Sequence, residues 1–380
     1  MSDFDLILKN GRVVDSAQGL DGPADVAFRD GKVADIGEDL AGGAKTDIRD
    51  ASGKIVCPGL IDMHTHMYWG GTSLGIDAED FCRRSAVTTA IDTGSAGPGN
   101  FAGFRKHVIE KSDVRILAYL HISHAGIFGF SNRIMVGESE DLRLMDPITC
   151  AEVAAANPDV IVGIKVRLGR HASGDQGMAP FDYALQVAEQ CGLPMMVHID
   201  EPPPSYAELV ERMRPNDVLT HCFRPFPNTP LGPDGKVRPE VLVARERGVY
   251  FDIGHGMGSF AFDVARAMLD QGFYPDTISS DIHALCINGP AFDQVTTLNK
   301  FLNMGMPLGD VLKATTENAS LILNRPDLGN LKPGSAGDAA VLSLEEGEFE
   351  FEDVRGDVLK GNKRLVTQGV VLGGRWWHPI

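Results

Sequence analysis

Two histidines separated by a single residue, His64 and His66, close the apolar run IVCPGLIDMHTH that starts at Ile55. A run this rich in β-formers reads as a buried strand, and a strand's period of two turns both imidazoles to the same face. One buried histidine is usually a satisfied core residue. Two that project side by side from a strand end, just ahead of the glycine-rich YWGGTSLG loop, point instead to a metal. Polar residues of the same chemical kind recur in later apolar runs: Lys165 in VIVGIKVRL, His198 in PMMVHID, His221 in DVLTHCF and Asp281 in DTISSDIH. A lysine amine in the middle of an apolar run is costly to bury charged, so it is expected to be neutral, paired or modified. As a carbamate formed with carbon dioxide, Lys165 becomes an oxygen donor able to bridge two cations. Two cations about 3.5 to 4 Å apart would deprotonate a shared water near neutral pH, which is hydrolytic chemistry. Imidazole and carboxylate donors without thiolate suit zinc, with manganese, cobalt and iron as other occupants.

Residues this far apart in sequence meet only if the scaffold gathers strand ends. Between about residues 55 and 328, eight short apolar β runs alternate with segments of helical composition such as AEDFCRRSAVT and FDYALQVAEQCG. Most of the β runs are nearly continuous in apolar residues, as strands covered on both faces should be. No GxGxxG opens a helix after the first of them, so the expected α/β architecture is a closed (β/α)8 TIM barrel with its site at the C-terminal strand ends. Residues 1–54 and 329–380 are different in character, alternating β runs with turns, and Asn10-Gly11 and Asp30-Gly31 are hairpin signals between such runs. Both chain ends are therefore expected to build one small β-sandwich domain beside a barrel of residues 55–328.

A chain of 380 residues suits one barrel with an appendage. Its formal net charge of -17, with no compensating basic stripe, argues against nucleic acid as a partner. No apolar run approaches the roughly 20 residues that cross a bilayer, and MSDFDLILKN lacks the basic-then-apolar order of a signal peptide, so a cytoplasmic protein with no membrane partner is expected. Cys57, Cys82, Cys150, Cys191, Cys222 and Cys286 are scattered without a CxxC pair and read as reduced core thiols. The expected partners are a small-molecule substrate and, in a homo-oligomer, further copies of the chain.

With GLIDMHTH followed in order by Lys165, His198, His221 and Asp281, the chain resembles the amidohydrolase superfamily over its whole length. The resemblance implies that His64, His66 and Asp281 hold the more buried of two divalent ions, most simply Zn2+. It further implies that His198 and His221 hold the more exposed ion and that carboxylated Lys165 bridges the pair. The implied mechanism is attack by a metal-bridging hydroxide on a carbonyl polarised by the exposed metal, with Asp281 shuttling the proton to the leaving group. The loops YWGGTSLG, HIDEPPPSY and DIGHGMGSF are similar to a deacetylase or dihydroorotase-like subgroup, which implies deacylation of an N-acyl or O-acyl chiral carboxylate.

Several rim residues are candidates for substrate contact. Tyr68 follows the histidine pair and could bond a tetrahedral oxyanion or pack as a lid. Arg167 and Arg224 could clasp a substrate carboxylate through a guanidinium fork, or serve as surface ion pairs. His124, His255 and His283 sit just beyond strand ends, and Asp62, one pleat repeat below His64, could orient an imidazole. Three other readings stand beside deacylation: hydrolysis of a cyclic amide of the dihydroorotate or hydantoin type, a Schiff-base lyase using Lys165, and a non-catalytic interaction protein.

Overall fold

Gly59 divides the apolar run that carries the histidine pair. Its N–H donates to Asp338 O at 3.0 Å, and a Cβ at this position would stand 2.9 Å from Asp338 Cβ. The run expected as one strand is therefore two, Ile55–Pro58 and Leu60–Thr65, in different sheets. The computed structural model describes residues 4–225 and 227–378. Residues 1–3, 379 and 380 of the expected small domain, and Phe226 of the expected barrel, lie outside the described residues.

In chain order the strands are β1 (Leu6–Asp15), β2 (Leu20–Arg29), β3 (Lys32–Gly37), β4 (Asp47–Asp50), β5 (Ile55–Pro58), β6 (Leu60–Thr65), β7 (Val87–Thr93) and β8 (Arg115–His121). They continue as β9 (Ile161–Leu168), β10 (Met195–Ile199), β11 (Val218–Leu219), β12 (Tyr250–Phe251), β13 (Ala339–Glu352), β14 (Val358–Leu372) and β15 (Arg375–His378). Among the described residues, both chain ends share one eight-stranded sheet in the order β15-β14-β13-β5-β1-β2-β3, with β4 parallel to β1. Asp30-Gly31 makes the expected hairpin between β2 and β3, with φ of 52° and 75°. Asn10-Gly11 does not. It is a bulge inside β1, with Asn10 at φ 61° and the register slipping between Leu8 and Gly11. The Asn10 N–H donates to Asp25 Oδ1 at 2.8 Å, and Gly11 lies so near β5 that a Cβ would come within 2.6 Å of Val56 Cγ2. Packing against β5 has turned a turn sequence into a bulge.

Strands β6 to β12 follow one another as seven parallel neighbours, and β6 and β7 are buried at every position. The segment 277–282 closes the ring through the parallel bridges Asp252–Thr277 and Thr65–Ile282. This is the expected closed barrel, although its last strands are shorter than their sequence suggests. His221 and Asp281 adopt φ of 62° and 47°, a left-handed backbone that ends a ladder. The Phe251 N–H is also taken by the Asp276 carboxylate at 2.7 Å. Helices fill the connections and are capped as their sequences suggest. Asp146 caps Pro147–Ala156, Ser205 caps Tyr206–Arg212, and Gly192 ends Ala179–Cys191 in the left-handed region. The six cysteines are free thiols, all buried except the half-buried Cys191. Among the described residues, no helix is long and apolar enough to cross a membrane.

Lys300, on the buried face of the helix Gln294–Asn303, ties the small sheet to the barrel. Its Nζ donates to Glu352 O on β13 at 2.7 Å, to Pro290 O at 2.8 Å and to His255 Nε2 at 2.7 Å. Lys300→Met should cost about 3 kcal/mol or more in denaturant unfolding, because it leaves buried acceptors unpaired. Burial pushes the Lys300 ammonium down to about 7 despite the nearby acidic groups Asp353, Asp293 and Glu352. The unfolded chain keeps this proton to higher pH, so the folded state gains stability as pH rises from 7 toward the ordinary lysine range. The stability gap between native protein and Lys300→Met should widen along the same interval.

Candidate active site

The C-terminal ends of the barrel strands open on a cavity of about 250 Å³, lined by His64, His66, Lys165, His198, His221 and Asp281. The strand period carries His64 and His66 to one side of β6, with ring centroids 5.5 Å apart. His64 Nε2 and His66 Nε2 each stand 3.2 Å from Asp281 Oδ1, and the three residues offer ligand atoms within 4.8 Å of one another. His221 adjoins His64 at 5.0 Å and His198 at 4.6 Å between centroids. The left-handed backbones of His221 and Asp281 aim these two side chains, a local strain of the kind that concentrates at functional sites.

Lys165 is fully buried on β9, opposite His121 of β8 and Met196 of β10. Gly94 makes room for its stem, since a Cβ there would meet Lys165 Cγ at 2.7 Å. Among the described residues Lys165 Nζ has no hydrogen-bond partner, and burial pushes its ammonium down to about 7. Burial also lowers the histidines, His66 to about 3 and His64, His198 and His221 well below the usual imidazole range. They are neutral at pH 7, the form that binds metals. Burial raises Asp281 to about 6.

Three of these histidines have one nitrogen next to an outer partner. His64 Nδ1 lies 2.8 Å from Thr220 Oγ1, His66 Nδ1 lies 2.9 Å from Ser95 Oγ, and His221 Nδ1 donates to Gly254 O at 2.7 Å. Such partners orient ligating imidazoles. His198 Nε2 stands 3.5 Å from Asp200 Oδ2 without a hydrogen bond. Neutral imidazoles, a carboxylate and an unpartnered buried amine therefore fit a divalent cation site.

Of the other expected contacts, Arg167, Arg224 and His283 line the cavity. Arg167 lies 3.4 Å from Glu138 and over the Phe130 ring, and Arg224 Nη1 donates to Ile199 O. Tyr68, His124 and His255 are not among the cavity's lining residues. The Tyr68 hydroxyl donates to Asn100 O at 3.3 Å while its ring stacks on Phe104. His124 is exposed beside Gly99, and His255 is buried against Phe260 and bonded to Lys300. Asp62 does not orient an imidazole ring. It accepts from Ser280 N at 3.0 Å, Ser280 Oγ at 2.5 Å and the His64 backbone at 3.3 Å, which ties the first strand to the last.

Sequence reasoning passed over His121, Glu138 and Asp200. His121 Nε2 lies 3.2 Å from Glu138 Oε1 beside Lys165, and Asp200 lines the cavity. The spacing His198-x-Asp200 repeats that of His64-x-His66 and was the available signal. Glu138 comes from an irregular connection and carried none.

A sequence profile described as the Amidohydrolase family matches residues 55–377. The chain belongs to the amidohydrolase family. A protein named deacetylase from Brucella anthropi is 35% identical over 368 residues, covering 97% of this chain and 86% of the relative. A solved dihydroorotase structure superposes with a TM-score of 0.89 at 33% identity over 98% of both chains. An adenine deaminase structure gives 0.91 at 28% identity, covering 99% of this chain and 100% of the other. This amidohydrolase is thus a hydrolytic enzyme for a small molecule, of a family that generally uses a divalent metal. Zn2+ added to the chelator-stripped amidohydrolase should raise its melting temperature by several degrees, and His64→Ala or His66→Ala should remove most of that rise in the same scan.

Proposed function

We propose that this amidohydrolase deacylates an N-acyl or O-acyl carboxylate. The observation that carries the proposal is the convergence of His64, His66, His198, His221 and Asp281 on one cavity around the unpartnered amine of Lys165. We assign His64, His66 and Asp281 to one zinc ion and His198 and His221 to a second, with Lys165 between them as a carbamate. When bound, the cations supply polarisation of a carbonyl and acidification of a water.

The chain's own groups account for the remaining steps. Arg167 and Arg224 hold the substrate carboxylate at the polar side of the cavity, and Leu74, Ile127, Phe130, Met135 and Met257 cover its apolar part. His283, lowered to about 4 by burial, is neutral at pH 7 and offers the acyl group a hydrogen bond. Water adds to the acyl carbon and loses a proton to an Asp281 carboxylate oxygen. Asp281 returns that proton to the departing nitrogen or oxygen as the acyl bond breaks. The names of the deacetylase relatives favour linear acyl substrates, and the likeness to a dihydroorotase supports the cyclic-amide alternative. In domain terms the proposal assigns residues 1–54 and 329–380 to a small β-sandwich and residues 55–328 to the hydrolase barrel. β5 pairs with β1 on one side and β13 on the other, which supports one small domain built from both chain ends and carries residues 55–58 into its sheet rather than the barrel.

The test is a screen of metal-replete protein against N-acyl and O-acyl carboxylates of both hands, with dihydroorotate and hydantoins alongside. Turnover confined to the cyclic amides would replace deacylation with ring opening. Lys165→Ala should abolish turnover, with partial recovery on adding a short carboxylic acid that fills the lost oxygen position. Asp281→Asn should retain metal while kcat falls about 100-fold or more, and an unchanged kcat would remove Asp281 as the proton carrier.

A further inference from the structure

The proton on His64 can be placed by counting donors and acceptors. Its Nδ1 lies 2.8 Å from the Thr220 hydroxyl, which in turn lies 2.8 Å from Asp252 Oδ2. Asp252 is fully buried just after β12 and takes two further hydroxyls, Thr277 on Oδ1 at 2.7 Å and Ser279 on Oδ2 at 2.8 Å. The Ser279 oxygen already accepts Gly254 N–H at 2.9 Å, which leaves its own proton for Asp252. Three hydroxyls directed at its two oxygens hold Asp252 as the carboxylate against the burial that raises it; a carboxylate only accepts, and a threonine hydroxyl has one proton. The Thr220 proton therefore goes to Asp252, and the Thr220 oxygen must accept from His64 Nδ1.

We propose that Thr220 and Asp252 are positioning residues that lock His64 as the Nδ1-protonated tautomer, so that its Nε2 lone pair faces Asp281 Oδ1. The other tautomer would carry its proton on Nε2 and could donate it to Asp281 across the 3.2 Å gap, closing the pocket on itself without any cation. The relay removes that competing arrangement. With Asp281 ionised, two acceptor atoms then face each other, an arrangement that a cation satisfies. What occupies that gap rests on the hydrolase reading, whereas the tautomer does not. Neighbouring strands lead directly into the two residues, Thr220 following the last residue of β11 and Asp252 the last residue of β12.

The experiment uses metal-free protein labelled with 15N-histidine, read by two-bond 15N–1H correlation. His64 should show a protonated Nδ1, the isosteric Thr220→Val should lose that pattern, and Thr220→Ser should keep it. Direct Zn2+ titration should show the affinity of Thr220→Val reduced about 10- to 100-fold, with Thr220→Ser restored to near the native value. A native His64 protonated on Nε2 would overturn the lock, as would Thr220→Val with native Zn2+ affinity. If the native protein takes up no Zn2+, the hydrolase reading fails, while the histidine spectrum still decides the tautomer. Should Thr220→Val not fold, the native spectrum alone tests the lock, with Nδ1 protonation upholding it and Nε2 protonation overturning it.

Discussion

At the mouth of the barrel, two imidazole nitrogens crowd one carboxylate oxygen. His64 Nε2 and His66 Nε2 converge on one oxygen of Asp281, and all three groups are buried where water can do little to screen them. Buried polar groups need partners, and two nitrogens directed at one oxygen compete for it. Around this cluster the sequence places groups that fix each imidazole from behind, among them the Thr220 hydroxyl, the Ser95 hydroxyl and the Gly254 carbonyl. Two buried carboxylates behind the site are, by contrast, well satisfied. Asp62 joins the first strand to the last through Ser280, and Asp252 gathers hydroxyls from Thr220, Thr277 and Ser279.

The same constraint explains why the last barrel strands lose their regular ladder. A left-handed residue interrupts pairing, yet His221 and Asp281 both take that conformation at the strand ends where their side chains enter the cavity. Regularity gives way where side-chain aim matters. The small sheet lies outside this chemistry, but Lys300 binds it to the wall of the site, since Glu352 O and His255 Nε2 accept from the same ammonium. His255 shortly precedes the residues Met257, Gly258 and Ser259 that line the cavity.

The core of the site was legible because its signal is local and repeated. Apart from Lys165, which stands within its run, each ligand-type residue lies near the end of an apolar run, and the barrel turns run ends into neighbours. His64, His66, Lys165, His198, His221 and Asp281 accordingly line one cavity. Position near a strand end does not say which way a loop residue turns, so Tyr68, His124 and His255 found other partners. Asp252 could not be singled out either, since its three hydroxyl donors come from two other segments, Thr220 from one and Thr277 and Ser279 from another, none adjacent to it in sequence. Asn10-Gly11 is a strong turn signal taken over by packing, because β5 presses on Gly11 and Asp25 captures the Asn10 N–H. The split at Gly59 likewise depends on Asp338, far along the chain.

The central claim is that this cavity holds a pair of cations bridged through Lys165. Anomalous scattering at the zinc edge, recorded from crystals of the zinc-replete protein, tests it most directly. The account predicts two peaks about 3.5 to 4 Å apart, one against His64, His66 and Asp281 and the other against His198 and His221, with carboxylated Lys165 reaching both. A cavity without anomalous signal in crystals grown with excess zinc, or peaks lying away from these residues, would contradict it.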